Sequence, residues 1–268
     1  MANELERLQD KLRDLAKFSG RCTPDGAPFI LNGFNLQLRG YGHSTLSLAV
    51  HKATEPVEFA HEQAEFMLFL GEQVCPRILS VDEIGYVMEF LQPARIFVDS
   101  VWAQERFLYK NVWTRSLEDV PFAKIIGDDT WHGELSRTIG IDVPEWAINE
   151  PICLIHGDPT LDNTLMINNG SIRITDPIPP HRLVRPSIRA IDHGKILQSF
   201  LGWEVVFRGM PRVEFMWPSF MLDIDSAKRA VFWCMVALKR IALRNNSCNA
   251  GLWAQTIGEE LKQCLQSF

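Results

Sequence analysis

The 268-residue sequence has no two cysteines at C-x-x-C spacing; its six, Cys22, Cys75, Cys153, Cys234, Cys248 and Cys264, are scattered. That excludes the common zinc and dithiol motifs and leaves reduced thiols in a cytosol as the simplest reading. A basic surplus is also missing, since 27 Lys+Arg stand against 33 Asp+Glu for a net charge of −6. Such a chain lacks the cationic surface that drives sequence-independent binding to DNA or RNA. No apolar run is long: residues 231–238 form the most continuous one, far short of the roughly 20 needed to cross a bilayer. The opening stretch MANELERLQDKLRDLAKF is charged throughout, without the apolar core of an export signal. Internal repeats and low-complexity runs are absent as well. A soluble cytoplasmic protein, with neither membrane nor nucleic acid as a partner, is the expectation.

What is present suffices for a sizeable core, with 46% hydrophobic and 22% charged residues. Leu5, Leu8, Leu12, Leu15 and Phe18 recur at steps of three and four and predict a first helix with one apolar stripe. Over residues 29–52 the pattern alternates instead, with a turn at Gly40 to Gly42, which predicts an antiparallel hairpin. A helix follows, capped by Thr54, with Phe59, Phe66 and Phe69 on one side and Gly71 at its exit; short strands are expected over residues 77–81 and 85–91. Trp is missing before residue 102 and then occurs eight times, while helical patterns take over; late helices are expected over 226–244, with Ser226 as cap, and 252–266. These shifts predict a strand-rich lobe over residues 1–91, which includes the first helix, and a larger helical lobe over residues 92–268.

Chemistry concentrates in Leu154-Ile155-His156-Gly157-Asp158-Pro159-Thr160-Leu161-Asp162-Asn163, followed by strand-like residues 171–175 and then Asp176. A loop that gathers Asp158, Asn163 and Asp176 offers carboxylate and amide oxygens suited to a hard cation such as Mg²⁺, with one carboxylate left to handle a proton. Phosphoryl transfer needs such parts, together with a lysine that steadies nucleotide phosphates.

In these residues the sequence resembles the aminoglycoside phosphotransferase and choline kinase group, small-molecule relatives of the protein kinases. His156, Gly157, Asp158 and Asn163 match the H-G-D-x-x-x-x-N loop, Asp176 falls at the metal-binding aspartate, and Asp192 resembles the later aspartate that braces the loop together with His156. The resemblance implies an α+β, two-lobed protein-kinase-like fold of five short antiparallel strands and a helix, then mainly helices. It implies Asp158 as catalytic base, Asn163 and Asp176 as Mg²⁺ ligands, and Lys52 as the nucleotide lysine with Glu62 or Glu65 as its helix partner. Glu89 and Leu91 fall in the hinge whose backbone would contact the adenine of ATP, with GTP also allowed.

Departures from the protein-kinase pattern narrow the acceptor. Gly157 replaces the arginine that grips an activation-loop phosphate, Pro177 replaces the Phe of D-F-G, and only 15 residues separate Asp176 from Asp192. A small-molecule hydroxyl substrate such as a sugar or amino alcohol is therefore expected, and the rivals are an inactive nucleotide-binding module and a Ser/Thr protein kinase. Arg182 and Arg185, in a positive cluster after Asp176, are substrate candidates. Trp203 could line a pocket, Asp162 is read as bonding its own loop backbone, and Cys153 as inert core.

Overall fold

Alternating residues in the first third of the chain build a four-stranded antiparallel sheet, ordered β1-β2-β4-β3, from β1 (Leu38–Tyr41), β2 (Ser47–Ala53), β3 (Ile78–Asp82) and β4 (Gly85–Glu89). The computed structural model describes residues 2–19, 38–41, 47–53, 56–89, 91, 100–120, 135–137, 140–167, 170–183, 187–204, 217–246 and 249–267. Central β2 pairs Leu38 with Val50 on one side and Tyr86 with Lys52 on the other. The turn expected at Gly40 to Gly42 does not start at Gly40: β1 runs through Gly40, opposite Leu48, to Tyr41, and Gly42 lies outside the described residues. The expected strand before Leu38 falls on residues outside the described set, as does Thr54. Between β3 and β4 the chain reverses at Glu83-Ile84, where Asp82 Oδ1 accepts the Ile84 N–H at 3.1 Å.

The helix α2 (Val57–Leu70) starts after Pro56, which holds the N-cap position, and ends at Gly71, whose φ of +88° suits glycine. Ala60, Ala64 and Met67 recur along its buried face with Gln63, Phe66 and Leu70, and this face packs on β4. The sheet and α2 thus present Lys52 and Gln63 to the second half of the chain.

There α3 (Ser100–Leu108) runs on into a π-helical turn, Tyr109–Trp113, and a short hairpin of β5 (Thr164–Met166) and β6 (Ile172–Ile174) carries the loops that flank it. Three helices form the core: α4 (Arg189–Phe200), α5 (Ile224–Arg244) and α6 (Asn249–Gln266). Residues 230–238 of α5 are buried on every side because α4 and α6 both pack against it. Its cap differs from the expected Ser226: Asp223 accepts the Ser226 N–H at 2.9 Å, which holds the Asp223 carboxyl below its ordinary value. The four described cysteines, Cys75, Cys153, Cys234 and Cys264, are free thiols, and burial pushes Cys153 up to about 12.

The first helix, α1 (Ala2–Ser19), does not pack as the residue 1–91 grouping implies. Its buried Leu8 and Leu12 lie in the core, the helix contacts α5 and α6, and Gln9 Nε2 donates to the Met221 carbonyl at 2.6 Å. Lys228 Nζ meets Glu4 Oε1 at 2.5 Å in the same interface. An apolar stripe read from sequence has no address, and here its partner lies at the other end of the chain.

Gly194 sets the distance between α4 and α5: a Cβ there would stand 2.6 Å from the Cys234 backbone nitrogen and 2.7 Å from the Trp233 carbonyl carbon. Backbone cannot yield as a side-chain tip can. Gly194→Ala is therefore expected to destabilise the chain by about 1–3 kcal/mol. Gly258→Ala on α6, whose Cβ would find Leu238 Cβ at an ordinary 3.7 Å, should stabilise by about 0.5–1 kcal/mol through helix propensity. Urea midpoints of the two variants against wild type check the opposite signs.

Candidate active site

The loop from Leu154 to Asn163 is anchored by buried Leu154 and Ile155 and by the Cys153 N–H, which donates to the Ser187 carbonyl at 2.9 Å. Gly157 turns it with φ +86°, and a Cβ there would stand 2.9 Å from Ile178 Cβ, so conformation and space both require glycine. An arginine, as protein kinases have at this place, would not fit this turn.

Asp192, fully buried on α4, holds the loop by its backbone. Oδ1 accepts the Gly157 N–H at 2.8 Å, and Oδ2 accepts the His156 N–H at 2.9 Å and Trp113 Nε1–H at 2.8 Å. These donors replace the water the carboxylate has lost. His156 is equally buried and spans the loop: Nε2 lies 3.0 Å from the Thr175 carbonyl, and Nδ1 accepts the Asp158 N–H at 3.2 Å. That pairing assigns the proton to Nε2 and a neutral ring, in keeping with burial, which lowers the His156 pKa to about 4.

The side chains so positioned converge. Asn163 Nδ2 donates to the Asp158 carbonyl at 2.9 Å and to Asp158 Oδ2 at 3.2 Å, while Asp158 Oδ1 meets Lys195 Nζ at 2.8 Å. Asp176 follows β6 with φ +57°, a left-handed conformation that aspartate tolerates better than most residues. Its Oδ2 takes Lys52 Nζ at 2.5 Å across 124 residues of sequence, and its buried Oδ1 has no hydrogen-bond partner. Asp158 with Asn163, and Asp176 with Lys52, are thereby two pairs linked through the hairpin, in which the Thr175 N–H donates to the Asn163 carbonyl at 2.9 Å.

Glu62 is elsewhere. Its carboxylate receives Arg182 Nε at 2.5 Å and Nη2 at 2.8 Å, with His181 Nε2 at 3.1 Å, and the Arg182 hydrogen bond holds its pKa below the ordinary value. The expected Lys52–Glu62 pair is replaced by Lys52–Asp176, and the Arg182 guanidinium, read as a substrate group, is engaged by Glu62. Glu65 is exposed. The residue of α2 that faces the cluster is Gln63, one place along: its Nε2 donates to the Pro177 carbonyl at 3.1 Å and its Oε1 accepts the Tyr86 hydroxyl at 2.9 Å. Arg185 lies outside the described residues. Glu89 ends β4 with its Oε1 accepting the Arg77 N–H at 2.9 Å, and Leu91 is half-buried just beyond it. The Trp203 ring lies 5.5 Å from that of Trp253, packed against the core.

Sequence reading missed Trp113, Gln63 and Glu204. Trp113 has no local signal, being 79 residues from its partner Asp192. Glu204 is buried beneath the loop, where Oε1 accepts the Leu161 N–H at 3.0 Å and the Ser199 hydroxyl at 2.7 Å. Burial first, and the charge of Asp162 second, push its pKa up to about 7.

No protein-family model and no curated protein matches this sequence. Among solved structures the chain is similar to an ethanolamine kinase of Plasmodium vivax, with a TM-score of 0.50 and 11% sequence identity over 83% of this chain and 82% of that one. The likeness shows the fold: α+β, two-lobed and protein-kinase-like, with a small antiparallel-sheet lobe and a larger, mainly helical one.

The buried titratable groups make stability depend on pH, with two signs that compete in one window. His156 (about 4) and His193 (about 3) are held neutral below their ordinary 6.5 by burial. The unfolded chain therefore binds more protons as pH falls below 6.5, and stability drops through that window. Glu204 acts oppositely: raised from 4.5 to about 7, it contributes stability at low pH that is lost as pH rises through 7. Between pH 4.5 and 6.5 the two histidines outweigh Glu204, so urea midpoints are expected to fall from pH 7 towards pH 4, and Glu204→Gln, which removes the opposing contribution, to steepen that fall.

Proposed function

We propose that the protein is a Mg²⁺-dependent phosphotransferase that moves the terminal phosphoryl group of ATP to a hydroxyl of a small molecule. The observation that carries this reading is the Lys52–Asp176 pair at 2.5 Å, which brings the nucleotide lysine of the sheet lobe to the metal aspartate of the helical lobe.

The donor set suits the metal. Among the described residues no group of three His, Cys, Asp or Glu side chains could hold an ion. Mg²⁺ does not need one, because it binds through one or two carboxylates together with substrate phosphates and water. Asp176, with its unpartnered buried oxygen, and Asn163, whose amide oxygen is left over while its nitrogen donates to Asp158, would hold the ion. When bound, Mg²⁺ supplies charge neutralisation at the phosphate oxygens.

This chain's own residues do the rest. Asp158 orients the acceptor hydroxyl and takes its proton; Lys52, already at the Asp176 carboxylate, draws the phosphates to the same place. Asp192 and His156 keep the loop rigid, so that the base is aimed before substrate arrives. The short interval between Asp176 and Asp192 leaves no room for a peptide-holding segment, which favours a free metabolite such as a sugar or an amino alcohol. The structural neighbour's name, an ethanolamine kinase, is in line with that class. Among the described residues no helix is long and apolar enough to cross a membrane.

The test is transfer of labelled terminal phosphate from MgATP to a panel of small hydroxyl compounds, and phosphate release to water. Asp158→Asn and Asp176→Asn are each expected to lower turnover by about 10²–10⁴-fold, with melting temperatures close to wild type. Wild-type turnover that both variants retain would falsify the assignment.

A further inference from the structure

Lys195 lies three residues after Asp192 on α4, so helical spacing places both side chains on one face, and both reach the same loop. Asp192 takes the loop's backbone N–H groups. Lys195 Nζ stands 2.8 Å from Asp158 Oδ1, with its side chain only 14% exposed. The other oxygen of that carboxylate receives Asn163 Nδ2 at 3.2 Å. Asp158 is thus gripped at both oxygens by groups from two separate elements, while about a third of it, 34%, stays open. The ammonium's further contact, Gln198 Oε1 at 3.4 Å, is long, so Asp158 is its principal partner. A lysine that only balanced surface charge would stay in water, where such pairs contribute little; this one has given up most of its hydration to stand beside the base.

We propose that Lys195 is a positioning residue for Asp158: it fixes the carboxylate against the acceptor hydroxyl and keeps one positive charge beside the base through the transfer. The proposal rests on the phosphotransferase reading. In that reaction the acceptor oxygen forms a bond to the terminal phosphorus. The bond from phosphorus to its bridging oxygen breaks, its electron pair leaves on the nucleoside diphosphate, and the hydroxyl proton passes to Asp158. Oδ1, against Lys195, is buried; Oδ2 has two lone-pair directions, and the one that Asn163 leaves open takes that proton. A charge held in place beforehand, in a site partly shielded from water, needs no rearrangement when the reaction moves charge past it.

The experiment measures MgATP turnover with water as acceptor, read as phosphate release, for Lys195→Met and Lys195→Arg in the wild-type and Asp158→Asn backgrounds. Lys195→Met is expected to lower kcat about 10²-fold and to leave KM for MgATP within about threefold. Lys195→Arg, which restores the charge, should recover about tenfold of the loss. In the Asp158→Asn background Lys195→Met should cost less than about threefold, because a residue acting through Asp158 has nothing left to position. A role in structure alone would give the same loss in both backgrounds, and that result, or an unchanged kcat in Lys195→Met, overturns the proposal. Lys195→Gln, which keeps a donor without the charge, supplies the same comparison if the methionine variant melts early. A wild type without MgATP turnover overturns the phosphotransferase reading and the proposal with it; turnover insensitive to Lys195 overturns the proposal alone.

Discussion

The carboxylate of Asp192, buried on α4 and saturated by the N–H groups of Trp113, His156 and Gly157, is the constraint on which the site depends. A buried carboxylate is tolerated only if its donors are supplied in full. Supplying them fixes three separate parts of the chain relative to one another. The π-helical turn after α3 brings the Trp113 ring, α4 brings the acid, and the loop brings two consecutive peptide groups in a conformation that only a glycine at 157 permits. Once these are locked, His156 bridges to Thr175 and the direction of Asp158 follows.

From this anchor the arrangement spreads by short steps. The Thr175 carbonyl held by His156 precedes Asp176, whose left-handed backbone turns its carboxylate to Lys52. Gln63 then holds the next peptide, at Pro177, and is held in turn by Tyr86, which stands opposite Lys52 in the sheet. Both lobes are thereby joined through neutral hydrogen bonds as well as through the ion pair. Close packing supports the same geometry from behind, since α4 can carry Asp192 to the loop only because Gly194 lets it approach α5.

The loop itself was legible in the sequence because its chemistry is local. His156, Gly157, Asp158 and Asn163 lie within eight residues, and a strand separates them from Asp176 at a fixed distance. The errors arose where a choice depended on packing between distant parts. Glu62 and Gln63 are neighbours on α2, about 100° apart around the helix axis, and which of them faces the cluster is decided by the registry of α2 on β4. Glu62 falls where Arg182 and His181 reach it, so its charge is satisfied there. Asp223 takes the cap because its carboxylate receives the N–H of Ser226 itself, so the helix begins at Ile224, ahead of the expected start. Lys195 was not set apart among the positive residues after Asp176; its i, i+3 relation to Asp192 was the signal that could have singled it out.

The placement of α1 gives the molecule a different outline from a string of two lobes. The chain begins against α5 and α6, leaves for the sheet after Ser19, and has returned to the helical body by Ser100 at the start of α3. The sheet lobe is in that sense an excursion tethered at both of its ends. Lys52 at Asp176 and Gln63 at the Pro177 carbonyl join that excursion to the helical body a further time, midway along it.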